Sequence, residues 1–174
     1  MWRQLLILIV LLAGILVVSQ AQEPSTREIY TVLDYGENVF EPELWLASAQ
    51  EEVGRSTAQW RSDPMSGLAY LSYLHFDSGI QPDQIDLIFN EDWFRATFAN
   101  YQQWSETRNC QLEGITLKEF SLTQANLRYS MRYWIQPVSD SRVLTLFLIF
   151  PAASTETLDT YAEKLFPQAA VCVG

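Results

Sequence analysis

The sequence predicts an α+β fold. An antiparallel sheet of about five strands carries helices packed mainly on one face, in the order α-ββ-α-βββ-α, after an N-terminal signal or anchor helix. Three observations carry that prediction. Apolar residues make up 48% of the 174 and charged residues 18%, enough for one packed core. Period-2 stretches occur as a pair and then as a group of three, joined by the short, turn-rich connections that link antiparallel neighbours. Stretches with helical spacing separate and follow them. The chain divides into a leader over 1–21, an extended lead-in over 22–40 and a single α+β extracytoplasmic domain over 41–174.

The leader has the form of an export signal. Met1-Trp2-Arg3-Gln4 supplies one basic side chain, and Leu5 to Val18 is an unbroken apolar run. Ser19-Gln20-Ala21 places small residues at −3 and −1 of a cut before Gln22. At 1.5 Å per residue the run makes about 21 Å of helix, short of the ~30 Å hydrocarbon core. With Trp2 and its flanks it can also serve as an uncleaved anchor. In either case the rest of the chain faces the non-cytoplasmic side. No cysteine follows the run, so lipid attachment at a mature N-terminal Cys is excluded.

From Gln22 to Phe40 the sequence has turn residues, scattered aromatics and no sustained period, with room for a short strand at Glu28–Leu33. Glu41-Pro42-Glu43 reads as a helix start, because Pro suits the first helical position and carboxylates complement the dipole. Trp45, Ala49 and Val53 continue it at a spacing of four, and Gly54 is a natural stop. Ser56–Arg61 and Leu68–Phe76 form a hairpin about the turn-rich Ser62 to Gly67. Gly79 and Pro82 precede a short helix near 82–89. Asn90 then caps a longer one over 91–107, with Trp93, Phe94, Thr97, Phe98, Tyr101 and Trp104 along one side.

Three strands follow at Ile115–Leu122, Leu127–Gln136 and Val143–Phe150. The first two are joined by a turn at Thr123–Asn126. Val143–Phe150 is apolar on both faces and is expected at the centre of the sheet. Pro151 ends it, and Thr155–Phe166 forms a last helix facing Leu158, Tyr161, Ala162 and Leu165 inward.

Cys110 and Cys172 are the only cysteines, in no C-x-x-C, and are expected to pair as exported domains allow. Eleven Lys+Arg against twenty-one Asp+Glu give a net charge of −10. Losing Arg3 with the leader makes this −11, since ten basic and twenty-one acidic side chains remain. Such a surface repels phosphate backbones, which argues against nucleic acid. Membrane contact is expected only through the N-terminal segment, if it is uncleaved.

Few constellations suggest chemistry. His75 is the single imidazole. A zinc site would have to build on it with carboxylates such as Asp77, Glu91 or Asp92, whereas zinc favours several His or Cys ligands. No nucleophile turn accompanies it for a Ser-His-Asp arrangement. Glu41, Glu43, Glu91, Asp92, Glu113 and Glu119 could supply a glycosidase pair, though the first four already read as helix-start charges. Seven glycines form no phosphate-binding loop. Arg128, Arg132 and Trp134 share the more polar face of one predicted strand. Guanidinium forks beside an indole suit a carboxylate, phosphate or glycan.

The expectation is therefore a non-catalytic, exported or membrane-anchored extracytoplasmic domain that binds a protein partner or serves as an accessory subunit of a membrane complex. No cofactor is expected. The competing expectation is a small exported ligand-binding protein or hydrolase, with its site near Arg128, Arg132, Trp134 or His75.

Overall fold

A computed structural model describes residues 33–172. The expected leader over 1–21 lies outside the described residues. Seven strands form one antiparallel sheet: β1 Leu46–Glu52, β2 Arg55–Ser62, β3 Gly67–His75, β4 Gln102–Leu112, β5 Ile115–Gln124, β6 Leu127–Ser139 and β7 Arg142–Pro151. Their spatial order is β1-β2-β3-β7-β6-β5-β4. Two meanders thus meet along the β3–β7 seam, where Leu68 pairs with Ile149 and Leu74 with Val143. The crossover from β3 to the far edge carries two short helices, α1 Ile85–Ile88 and α2 Glu91–Thr97. A further helix, α3 Thr155–Leu165, follows β7.

Side chains alternate across a strand, so each strand feeds two faces. On β7, Leu144, Leu146, Leu148 and Phe150 join the core that α3 closes with Leu158, Tyr161, Ala162 and Leu165. The intervening Val143, Phe147 and Ile149 join a second core with Phe89, Phe94 and Phe98 of the crossover. A strand buried on both faces needs apolar residues at nearly every position, which is what the run from Val143 to Phe150 supplies. Each large apolar side chain buried this way stabilises the fold by roughly 1.5–3 kcal/mol.

This architecture corrects the expectation in three ways. The sheet has seven strands rather than about five, and the two additional ones, β1 and β4, are its outer edges. Helices cover both faces rather than mainly one. The element order in the described residues is also different, because two stretches expected as helix are strand. The first, from Glu41 to Gly54, contains β1, paired residue for residue with β2 from Leu46↔Arg61 to Glu52↔Arg55. Trp45 is buried, whereas Val53 is 99% exposed at the β1–β2 turn, so their spacing of four marks no common face. The second, 91–107, is helical only to Thr97. From Gln102 the chain pairs with β5. The lead-in over 22–40, expected extended, is helical at 33–37 in its described part.

The residues before β1 pack on the α3 side. Phe40 stacks on Trp60 at 4.8 Å between ring centroids and meets Trp45 edge-on at 4.8 Å. The Trp45 indole donates to the Tyr161 hydroxyl at 3.0 Å. That hydroxyl in turn donates to Glu41 at 2.8 Å, and Lys164 reaches the other Glu41 oxygen at 2.7 Å. Glu41 therefore fastens the lead-in to α3 and does not open a helix.

Candidate functional site

Three of the sequence-derived site residues lie on one face of β6 but in different environments. Arg128 is exposed near the start of the strand, opposite Thr123. Arg132 is only 6% exposed, and Trp134 is fully buried. The Trp134 indole donates to the Ala169 carbonyl at 2.6 Å and stacks on Phe166 at 4.9 Å. It holds the chain after α3 against the sheet and presents no ring to solvent. His75 ends β3 in register with Arg142, and its Nε2 lies 3.0 Å from Asp77. Arg132 faces Leu148 on β7. The six-residue step along β7 from Arg142 to Leu148 spans about 20 Å, so His75 does not join Arg128 and Arg132.

Arg132 instead belongs to a cleft of about 480 Å³ between the β4–β6 side of the sheet, α3 and the C-terminal tail. Its guanidinium donates to Asp159 of α3 and lies 3.6 Å from Glu119 of β5. Glu119 accepts the backbone N–H of Cys172 at 3.2 Å, and Arg108 of β4 donates to the carbonyl of the same residue at 2.8 Å. One residue of the tail thus has both backbone groups satisfied by side chains from two strands. Beside it the Cys110–Cys172 disulfide spans 5.8 Å between Cα atoms. Thr155, Asp159 and Glu163 line the cleft from successive turns of α3.

No local pattern in the sequence connects Arg108, Glu119 and Asp159 with Arg132. Two signals were available. Asp159 stands at helical spacing from Thr155 and Glu163, outside the apolar face of α3. Glu119 pairs directly with Arg132, but only when the β5–β6 turn is the two residues Ala125-Asn126. A four-residue turn at Thr123–Asn126 sets Arg132 opposite Leu117 instead.

Chemically, the cleft is a network of charges engaged with one another, and it locks a helix and a tail to the sheet. Two of the other candidate carboxylates are also paired: Glu91 is bridged by Arg95, and Glu41 by Lys164. The Lys164 hydrogen bond, with help from the Tyr161 hydroxyl, holds the Glu41 carboxyl down at about 2. Burial pushes the Tyr161 hydroxyl up. Among the described residues no group of three or more His, Cys, Asp and Glu side chains is placed to hold a metal ion. Nor, among them, is any helix long and apolar enough to cross a membrane.

The fold and the cleft define an α+β domain built on one antiparallel sheet, with its C-terminal tail fastened by a disulfide and a charge network. No family model and no curated protein matches the sequence. Among solved structures, the crystal structure of human STARD10 aligns over 85% of this chain and 77% of its own, at 9% identity and a TM-score of 0.31.

Proposed function

We propose that the chain is a non-catalytic extracytoplasmic domain, exported or held at a membrane by its N-terminal segment, that binds a protein partner or serves as an accessory subunit of a membrane complex. The observation that supports this most is the employment of its reactive side chains. Arg108, Glu119, Arg132 and Asp159 are paired within one internal network, and Trp134 is a core residue. Groups tied up in holding the fold together are poorly placed to bind and transform a substrate. The Cys110–Cys172 bond supports an oxidising compartment. The outer edge of β1, exposed along nearly its whole length, leaves backbone N–H and C=O groups to which a partner strand can pair.

The test is crosslinking on intact cells, followed by mass analysis of membrane and soluble fractions without reductant. The expected outcome is a defined adduct with one recurring partner, formed by a chain that carries its disulfide. A chain that forms no adduct and turns over a substrate in a hydrolase screen overturns the reading.

A further inference from the structure

The two edges of the sheet are built differently. β4 is guarded: its register slips between Gln102 and Ser105 and again between Glu106 and Arg108, and Gln103 has φ 49°. Such irregularities turn an edge strand away from further pairing. The Cys110–Cys172 bond and the Arg108 contact also fasten the tail to it. β1 has none of these devices. It pairs with β2 through seven consecutive residues without a register shift, and no Pro, Lys or left-handed residue interrupts it. Its side chains are exposed at every position except Glu51.

The outer side of β1 presents the backbone groups of three residues. Gln50 turns its carbonyl toward β2, where it accepts the Thr57 hydroxyl at 3.2 Å, and Glu52 closes the Val53-Gly54 turn against Arg55. Inward and outward groups alternate along an antiparallel strand, so Ala47, Ala49 and Glu51 direct their N–H and C=O away from the sheet. The side chains around them are small. Ala47, Ser48 and Ala49 are consecutive, and Leu46 to Gln50 carries no charge. Both acids, Glu51 and Glu52, lie at one end of the strand.

We infer that β1 pairs with β1 of a second copy of this chain, antiparallel and centred on Ala49, joining two seven-stranded sheets into one. In that register Ala47 meets Glu51 of the second copy and Ala49 meets its counterpart, so about six backbone hydrogen bonds form. The charges select this arrangement. A net charge of −10 repels copies from one another, so a stable contact has to avoid like-charge pairs. Parallel pairing would set Glu51 against Glu51 and Glu52 against Glu52, and like charges directly opposite are destabilising. Antiparallel pairing sends the acids to opposite ends. There Glu52 of each copy meets Leu46 of the other, whose neighbour on β2 is Arg61. Leu46, 63% exposed in the single chain, is then flanked by the Glu52 stem. Arg61 gains a second carboxylate beside its exposed pair with Asp63. The contact is the same on both copies and closes on itself, so it makes a dimer and not a fibre. This inference rests on the reading of β1 as a docking edge and names its occupant.

The test is sedimentation equilibrium of the full chain, disulfide intact, in a non-ionic detergent. Ala49→Lys sets two ammonium groups opposite each other at the centre of the contact, and Ala49→Pro removes an N–H that β2 does not use. A concentration-dependent dimer is expected for the wild type. Its dissociation constant should rise at least about tenfold in both variants, with the circular dichroism of the fold unchanged. Ala49→Cys adds a free thiol to a chain whose own two cysteines are bonded to each other. Oxidation should link it to its counterpart, whereas Glu106→Cys on β4 should stay unlinked. A wild type that remains monomeric overturns the inference. So does a dimer that Ala49→Lys leaves unchanged, because another part of the chain then holds it. An Ala49→Cys chain that forms an adduct with a different protein on intact cells, and none with itself, overturns it too but leaves the partner reading standing.

Discussion

Lys118 shows how one side chain can be costly and still tolerated. It is 5% exposed on the crossover side of β5, and its ammonium reaches Asp86 of α1 at 3.0 Å. A buried charge is stable only while paired, so the pair's two halves should respond differently to substitution. Asp86→Ala leaves the ammonium without its carboxylate and should cost about 1–3 kcal/mol in chemical denaturation. Lys118→Met removes the buried charge and leaves Asp86, already 64% exposed, to water. That change should stay within about 1 kcal/mol of wild type. Equal losses in the two variants would show that packing, not charge, decides the position. Glu41 makes a separate prediction through pH. Its carboxyl is lowered from 4.5 to about 2 by Lys164 and Tyr161, so its contribution is complete above pH 4.5 and fades as pH falls toward 2. Because its side chain is 42% exposed, screening limits the effect to about 1 kcal/mol or less. Glu41→Gln should therefore be less stable than wild type at pH 7 and indistinguishable from it near pH 2. A gap that persists unchanged down to pH 2 would mean the carboxylate charge is not what holds the lead-in to α3.

At the scale of elements, hairpin turns set the registers that bring residues together, and the β5–β6 turn is the most consequential. Ala125 and Asn126 have φ of 49° and 67°, the paired left-handed conformation of a two-residue hairpin. Asn adopts that region readily, whereas Ala does so under strain. The usual marker, Asn or Asp followed by Gly, is missing, so the turn read as four residues and the Glu119–Arg132 pairing stayed hidden. Replacing Ala125 by Gly should relieve the strain and raise stability by about 0.5–1 kcal/mol, seen as a shift of the denaturation midpoint at constant slope. A loss instead would mean that the methyl group packs in a way the turn geometry does not require. The two strands that escaped the sequence share a physical cause. Both are sheet edges, and solvent meets nearly every residue of β1 and most of β4. With neither face buried, no period-2 alternation is imposed on them. β1, reading LASAQEE, is instead rich in good helix formers, and pairing with β2 overrides that propensity. The well-defined strands, β3 and β5–β7, carried their pattern because burial on at least one face demanded it.

For the whole molecule, half of the candidate site is legible in the sequence and half is not. Arg132 stood out as a cation on a polar strand face, but its surroundings come from β4, β5, α3 and the tail. Only the folded sheet joins these. Trp134, on the same face two residues on, is sealed because the chain after α3 returns across the sheet and Phe166 stacks on it. No local pattern encodes that return. What fixes it is the Cys110–Cys172 bond together with the side-chain grip on Cys172. The bond closes a loop with a sequence separation of 62, and in the chain-entropy model this is worth roughly 4 kcal/mol. For a domain of this size that corresponds to a fall in melting temperature on the order of 10 °C upon reduction. The fall should be accompanied by local changes. The tail after Phe166 should lose amide protection first, and the Trp134 emission should shift to the red as water reaches the indole. The β3–β7 seam, buried on both sides, should keep its protection until global unfolding. If reduction instead left the midpoint and the tail's exchange unchanged, the Arg108–Glu119–Arg132–Asp159 network alone would suffice to hold the tail. Double substitution of Arg108 and Glu119 in the reduced protein would then have to release it.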